Sequence, residues 1–328
     1  MGSVAKRLGQ LAALSLESES SKILRTIQPN KVPNSLSQRL DTTLKDSHDM
    51  KVFGMGTLAS MASRERYLRF THAMYGVYST MEEELDRCSV DQLPPTLNSN
   101  DHASANNSAI AHFWNRHSEI LRRAEKLKSD ILDISPQHTV SLSSSEYTTA
   151  TEEYRNALRD AGTKDREDGG GRLLGHAYTR YLADLMGGQV LGTPTRLALG
   201  LEMDGSPRQY SFTFPVDRKK YVEDLYHDLN EAGRLMDDDD DVRLEDAVAE
   251  ARAAFGHNVK VYSEEPFVLD SVIGLKNIII IPFEGGRLVP KANVWDVARK
   301  IVEEIQHIWI TLSAPTVHVW LPAGTLDL

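Results

Sequence analysis

Apolar residues along this chain recur mostly three and four positions apart, the spacing of a buried helical stripe, and Ser, Asn and Gly crowd the stretches between. After a polar, Ser-rich lead ending at Pro33, Leu36, Leu40 and Leu44 repeat every four residues, and His48 continues the stripe. A second helix is predicted from Tyr67 to Arg87, with Leu68, Met74, Tyr75, Tyr78, Met81 and Leu85 turned inward. Residues 88–109 hold two prolines and many Asn and Ser, so they read as a loop. Further helices are predicted over 109–132, 146–161, 173–192, 221–236 and 244–262, with a charged, Gly-containing loop at 164–171. The acidic run 237–241 lacks the alternating ligand spacing and closing Glu of a calcium loop, and reads as a solvated connector.

The pattern changes after Ser263. Residues 277–283 (NIIIIPF) read as a buried strand, 292–312 as an amphipathic helix and 316–321 as a second short strand. The chain therefore divides into a flexible lead (1–35), an all-α multi-helical domain (36–263) and a small α/β appendage (264–328). That appendage is strand, helix, strand, or else a tail that binds a protein partner.

Composition narrows the chemistry. With 47 acidic against 37 basic residues the net charge is −10, which disfavours nucleic acid as a partner but suits a basic electron donor. The single cysteine, Cys88, rules out an internal disulfide framework and any site held by several thiolates. No apolar run is long enough to span a bilayer; residues 308–321 come nearest but carry Ser313, Pro315 and His318. Lys6, Arg7, Lys22 and Arg25 among serines and leucines resemble an organellar transit segment, against which Glu17 and Glu19 argue. The compartment stays open between cytoplasm, a membrane surface and an organelle.

Within 173–192 (LLGHAYTRYLADLMGGQVLG), Ala177, Tyr181, Asp184 and Gly188 fall on one face of a regular helix. Gly187 and Gly188 each cost a helix about 1 kcal/mol relative to Ala. Either they kink or end the helix against a neighbour, or they let a planar ligand lie against bare backbone. Spacing alone pairs Asp184 with Arg180 one turn earlier as a surface ion pair.

The run HAYTRYLADLMGGQVL, from His176 to Leu191, closely resembles the signature of the heme oxygenases. LDTTLKDSH resembles that family's proximal helix, Tyr75, Tyr78 and MEEELDR its next helix, and EARAAFGHN one of its closing helices. The resemblance runs from about Leu40 to Tyr262. It implies an all-helical fold with heme between two helices, and oxidative opening of heme to biliverdin, carbon monoxide and ferrous iron. Dioxygen and electrons from an NADPH-dependent reductase or ferredoxin are implied with it.

By the same resemblance His48 is the axial ligand of the heme iron. A lone His on an apolar stripe is more often a core residue, so that role rests on the matching helix. Asp184 is implied as organiser of the waters that deliver a proton on the distal side, with Tyr78 and Arg180 as its partners. Gly187, Gly188 and Ala183 line the heme face, and Tyr178 and Lys45 lie toward its carboxylates. His72, His112, His117, His176 and His257 have no such support and read as structural.

Two departures stand out. Ala183 replaces a usual Gly, and Met186 a small polar residue. The basic residues that clamp the heme propionates in the family correspond to Asp41, Glu223 and His227, with Lys45, Arg218, Lys219 or Lys220 as substitutes from nearby. Two functions are therefore expected: an active heme oxygenase with altered propionate contacts, or a non-catalytic binding or assembly protein of the same fold. A third, a di-iron oxidase, lacks enough inward carboxylates and histidines.

Overall fold

The computed structural model describes residues 32–47, 60–61, 64–90, 102–134, 147–186, 191–202, 205–236 and 241–263, with the short pairs 283–284 and 287–288. Besides a short 3-10 turn at Arg208–Tyr210, nine helices are present among them: α1 (Leu36–Ser47), α2 (Arg64–Ser89), α3 (His102–Leu121), α4 (Ala124–Ile134), α5 (Thr149–Asp168), α6, α7 (Gly192–Leu199), α8 (Arg218–Met236) and α9 (Val242–Ser263). The sixth, α6, is composite: an α segment Arg172–Ala177, a wide π turn Tyr178–Leu182 and a final α turn Ala183–Met186. The fold is all-α, as the spacing predicts. Of the expected appendage, only an antiparallel pairing of Phe283–Glu284 with Arg287–Leu288 is described.

The long α2 is the central element. Its stripe Tyr67, Phe70, Met74, Val77, Tyr78, Met81 and Leu85 is buried, and α3, α4 and α5 pack around it. On the far side α6 lies along α9, α8 packs on α3, and α1 closes against α9 and α8. Leu36 and Leu40 of α1 are fully buried, which explains their four-residue spacing. Among the described residues no helix is long and apolar enough to cross a membrane.

Several boundaries differ from the sequence expectation, and the break inside the third helix has a long-range reason. The helix expected over 109–132 begins earlier, at His102, and breaks at Arg122 and Arg123. There the Glu82 carboxylate of α2 accepts the backbone N–H groups of Arg123 (2.6 Å) and Ala124 (3.1 Å), satisfying the donors that open α4. The buried Arg123 guanidinium donates to the carbonyls of Leu121, Gln209 and Ser211, and lies 3.8 Å from the Phe212 ring centroid. The break is thus held by contacts invisible to local propensity.

Helix α5 also outruns its expected end at Ala161 and absorbs most of the predicted 164–171 loop. It stops only at Gly169, whose φ of 70° and N–H bond to the Asp165 carbonyl form a left-handed cap.

Candidate functional site

The first turn of α6 is anchored from below by Asp165, whose carboxylate accepts the backbone N–H groups of Arg172 (3.0 Å) and Leu173 (2.9 Å). Burial pushes the Asp165 carboxyl up to about 6, and those same bonds and Arg172 work against the rise. One turn later Gly175 faces the backbone of α9: a Cβ there would meet the Ala247 carbonyl oxygen and lie 2.8 Å from the Ala251 nitrogen. The missing side chain lets α6 and α9 approach closely, and α9 thereby reaches the site.

The π turn Tyr178–Leu182 then changes the phase of the helix. A regular 3.6-residue period puts Ala177, Tyr181 and Asp184 on one face, but Ala177 and Tyr181 are fully buried, whereas Ala183 is exposed and Asp184 half-buried. The open side of the last turn is therefore the Ala183–Asp184 side. Tyr181 instead packs between Tyr78 and Trp114, at 5.6 and 5.8 Å between centroids.

Asp184, Tyr78 and Arg180 come together. The Tyr78 hydroxyl of α2 donates to Asp184 Oδ2. Arg180 does not form the simple surface pair that spacing suggests. Its Nη1 donates to Asn258 Oδ1 of α9 at 3.0 Å, its Nη2 lies 3.4 Å from Met74 Sδ, and its guanidinium sits 5.0 Å from the Tyr78 ring centroid. Three helices thus fix one carboxylate, one phenol and one guanidinium.

Part of the Asp184 surface is open, yet its carboxyl lies deep enough for burial to push its pKa up; the Arg180 guanidinium and the Tyr78 hydroxyl pull it partly back. Burial likewise drives the Tyr78 hydroxyl well above its ordinary range, so it remains a donor. Burial alone would lower the Arg180 pKa, but neighbours such as Tyr78 and Asp184 raise it, and the side chain stays charged. The cluster can hold a proton on Asp184 nearer neutrality than an isolated carboxyl does.

Tyr178 has a different partner. Its hydroxyl donates to Asp41 Oδ1 of α1, and the Tyr226 hydroxyl of α8 donates to the same oxygen at 3.3 Å. Glu223 and His227 of α8 are exposed. The basic residues considered as substitutes near residue 220 are engaged elsewhere: Arg218 Nη2 donates to the Leu185 carbonyl at the end of α6, Lys219 lies 3.9 Å from Glu223, and Lys220 2.5 Å from Asp224.

His48, Gly187 and Gly188 lie outside the described residues, as does Met186's side chain; Lys45 belongs to α1, with its side chain outside them too. His176 is fully buried and meets Glu250 at 3.0 Å, His257 stacks on Tyr154, and His72 on Tyr147. His112 and His117 gather at Asp228, 3.7 and 3.1 Å away. Sequence reasoning missed Asn258, Met74 and Tyr226 as site neighbours. Asn258 ends the EARAAFGHN stretch that carried the resemblance, a signal for its helix but not for its contact. Among the described residues no group of three or more His, Cys, Asp or Glu is placed to hold a metal ion.

Comparison with known proteins bears on the family and the fold. The heme oxygenase family profile matches residues 34–264. The chain is 28% identical over 251 residues to the heme oxygenase of Porphyra purpurea, covering 76% of this chain and 92% of that protein. It is 26% identical over 248 residues to heme oxygenase 1 of Nostoc sp., covering 74% and 90%. Its fold is similar to that of Synechocystis sp. heme oxygenase-1, solved in complex with heme, with a TM-score of 0.54, 26% identity and coverage of 73% and 96%. Synechocystis sp. heme oxygenase-2, solved with heme and NO, gives a TM-score of 0.57 at 23% identity, covering 74% and 88%. From its lead-in at residue 34 to the end of α9, this chain belongs to the heme oxygenase family.

Proposed function

We propose that the chain is a heme oxygenase in activity as well as in descent. It opens heme to biliverdin, carbon monoxide and ferrous iron with dioxygen and electrons from a separate reductase or ferredoxin. The observation that carries this reading is the Asp184–Tyr78–Arg180 cluster at the end of α6, beside the exposed Ala183. A turn that buries Tyr181, Leu182 and Leu185 but leaves Ala183 open has room for a flat group against it.

These residues fit heme on that side. In this reading His48 holds the iron, Ala183, Gly187 and Gly188 face the macrocycle, and Tyr178 and Lys45 lie toward its carboxylate edge. Heme supplies the oxygen chemistry when bound. The protein's part is proton control and exclusion of water. Tyr78 occupies Asp184 Oδ2, which leaves Oδ1 as the oxygen that exchanges a proton. Arg180, tied to Asn258, keeps positive charge beside the pair, so the carboxyl can release a proton and regain it without drifting.

Burial works in the same direction by holding the Asp184 pKa above the usual carboxylate value. Residues 264–328 remain the proposed surface for a protein partner, beyond the helical unit.

A second reading, a non-catalytic binding or assembly protein of the same fold, is favoured by one observation. Asp41 engages Tyr178, and Glu223 and His227, which by resemblance correspond to the family's basic clamps on the heme carboxylates, are exposed. Titrating the purified chain with hemin separates the two. The enzyme reading expects a saturable Soret band lost in His48→Ala, and biliverdin when reductase and NADPH are added. A bound-heme spectrum without biliverdin supports the second reading, and no bound spectrum at all removes the first.

A further inference from the structure

Three oxidisable rings stand in file between the open turn of α6 and the protein surface. Tyr78 of α2 lies 5.6 Å from Tyr181 of α6 between ring centroids, and Tyr181 lies 5.8 Å from Trp114 of α3, close to parallel at 28°. All three are buried, and core packing accounts for the rings themselves. A neutral acceptor would satisfy their polar ends; each has instead a carboxylate, an acceptor that can also take the proton. Tyr78 donates to Asp184 Oδ2, Tyr181 to Glu82 Oε1 at 3.4 Å, and Trp114 Nε1 to Asp86 Oδ1 at 2.7 Å.

The far end of the file reaches solvent. The Asp86 and Arg122 side chains, 45% and 41% exposed, pair with each other over the buried indole, the Arg122 guanidinium 5.1 Å from its ring centroid. Burial holds both phenols well above their ordinary range, so neither parts with an electron readily unless its proton leaves too. Burial also pushes the Asp184 and Glu82 carboxyls up, against the bonds and cations that pull them back, and so makes each a better proton acceptor than an exposed carboxylate. The Arg122 charge disfavours a cationic indole, so Trp114 must lose electron and proton together, and Asp86 is placed to take the proton.

We propose that Tyr78, Tyr181 and Trp114 form a conduit that carries a single oxidising equivalent from the heme face to the surface at Asp86 and Arg122, where a reductant of the ascorbate class discharges it. This rests on the heme reading above and adds to it a second, protective activity. Tyr78 gives one electron to a one-electron oxidant left at the heme face by peroxide, and its phenol proton moves to Asp184. Tyr181 then returns an electron to Tyr78, which takes its proton back from Asp184, while the Tyr181 proton moves to Glu82. Trp114 restores Tyr181 in the same way, its Nε1 proton passing to Asp86. The reductant returns one electron to Trp114 and Asp86 returns the proton. Net, one electron passes from reductant to oxidant, and every proton in the file is back where it began.

The test is rapid-freeze electron paramagnetic resonance on the full chain loaded with hemin and mixed with hydrogen peroxide. Ring-deuterated tryptophan narrows an indole radical and so tells it from a phenoxyl. The wild type is expected to give a narrowed indole signal that ascorbate quenches. Trp114→Phe is expected to lose it, which separates Trp114 from the chain's other three tryptophans. Tyr181→Phe keeps the ring but has no hydroxyl proton to release, and Asp86→Asn, at the surface, no longer takes one. Each is expected to show a phenoxyl signal instead, and the pair serves if Trp114→Phe folds poorly. An indole signal unchanged in Tyr181→Phe or in Asp86→Asn, or a bound-heme spectrum with no indole signal in the wild type, overturns the conduit alone. No bound-heme spectrum overturns the heme reading, and the conduit with it.

Discussion

Replacing Gly175 by Ala tests how α6 is held to α9. In an ordinary exposed helix that change stabilises by about 1 kcal/mol, because Ala is the better helix former. At this position the new methyl meets the Ala247 carbonyl oxygen and comes within 2.8 Å of the Ala251 nitrogen. Both are main-chain atoms that cannot rotate aside, so the helices must separate. Overpacking a close contact destabilises by about 1–3 kcal/mol, and a backbone obstruction belongs at the upper end. The net expectation is destabilisation by about 2 kcal/mol. For a domain of about 150–250 residues that lowers Tm by about 4–8 °C.

Calorimetry or helical circular dichroism during heating reads the change directly. Heme cleavage should fall as well, since separating the helices lengthens the 3.0 Å Arg180–Asn258 bond. A Tm equal to or above that of the wild type would refute the close-approach account, because it would mean that helix propensity outweighs the contact.

Other consequences follow from the same geometry. Tyr78→Phe removes a hydrogen bond that lowers the Asp184 pKa, so carbon-13 titration of the carboxyl should show Asp184 holding its proton to higher pH; an unchanged midpoint would mean the bond does not form. The Glu250 carboxyl is held below its ordinary 4.5 chiefly by its hydrogen bond with His176, on the fully buried face of α6. Its contribution to stability is therefore present above pH 4.5 and is lost as pH falls through the lower folded value. Glu250→Gln should flatten the acid limb of a Tm-against-pH curve, and parallel curves would contradict that assignment.

The sequence carried the helical class through its spacing, and the site through one dense motif. Asp184 and Arg180 were legible because one run of matching residues holds both, and Tyr78 because a second stretch resembles the family's next helix. Their contacts were not. The π turn at Tyr178–Leu182 adds no glycine or proline to betray itself, yet it moves Ala183 onto the open side and buries Tyr181. The break at Arg122–Arg123 falls in a stretch of good helix formers, and Glu82, some forty residues earlier, imposes it. Asp41 was legible as an acid where a base is usual. Its engagement by Tyr178 and Tyr226 is a meeting of three elements that no local pattern encodes.

The proposed role of Asp184, managing protons for heme cleavage, is tested most directly by a paired turnover measurement of wild type and Asp184→Ala. Each protein is loaded with hemin and supplied with reductase, NADPH and dioxygen while biliverdin is followed. Equal hemin binding by both, with biliverdin formed by the wild type and its rate reduced by at least about a hundredfold in the variant, is the expected result for loss of a proton-transfer group. Biliverdin formed equally fast without the Asp184 carboxylate would contradict the account.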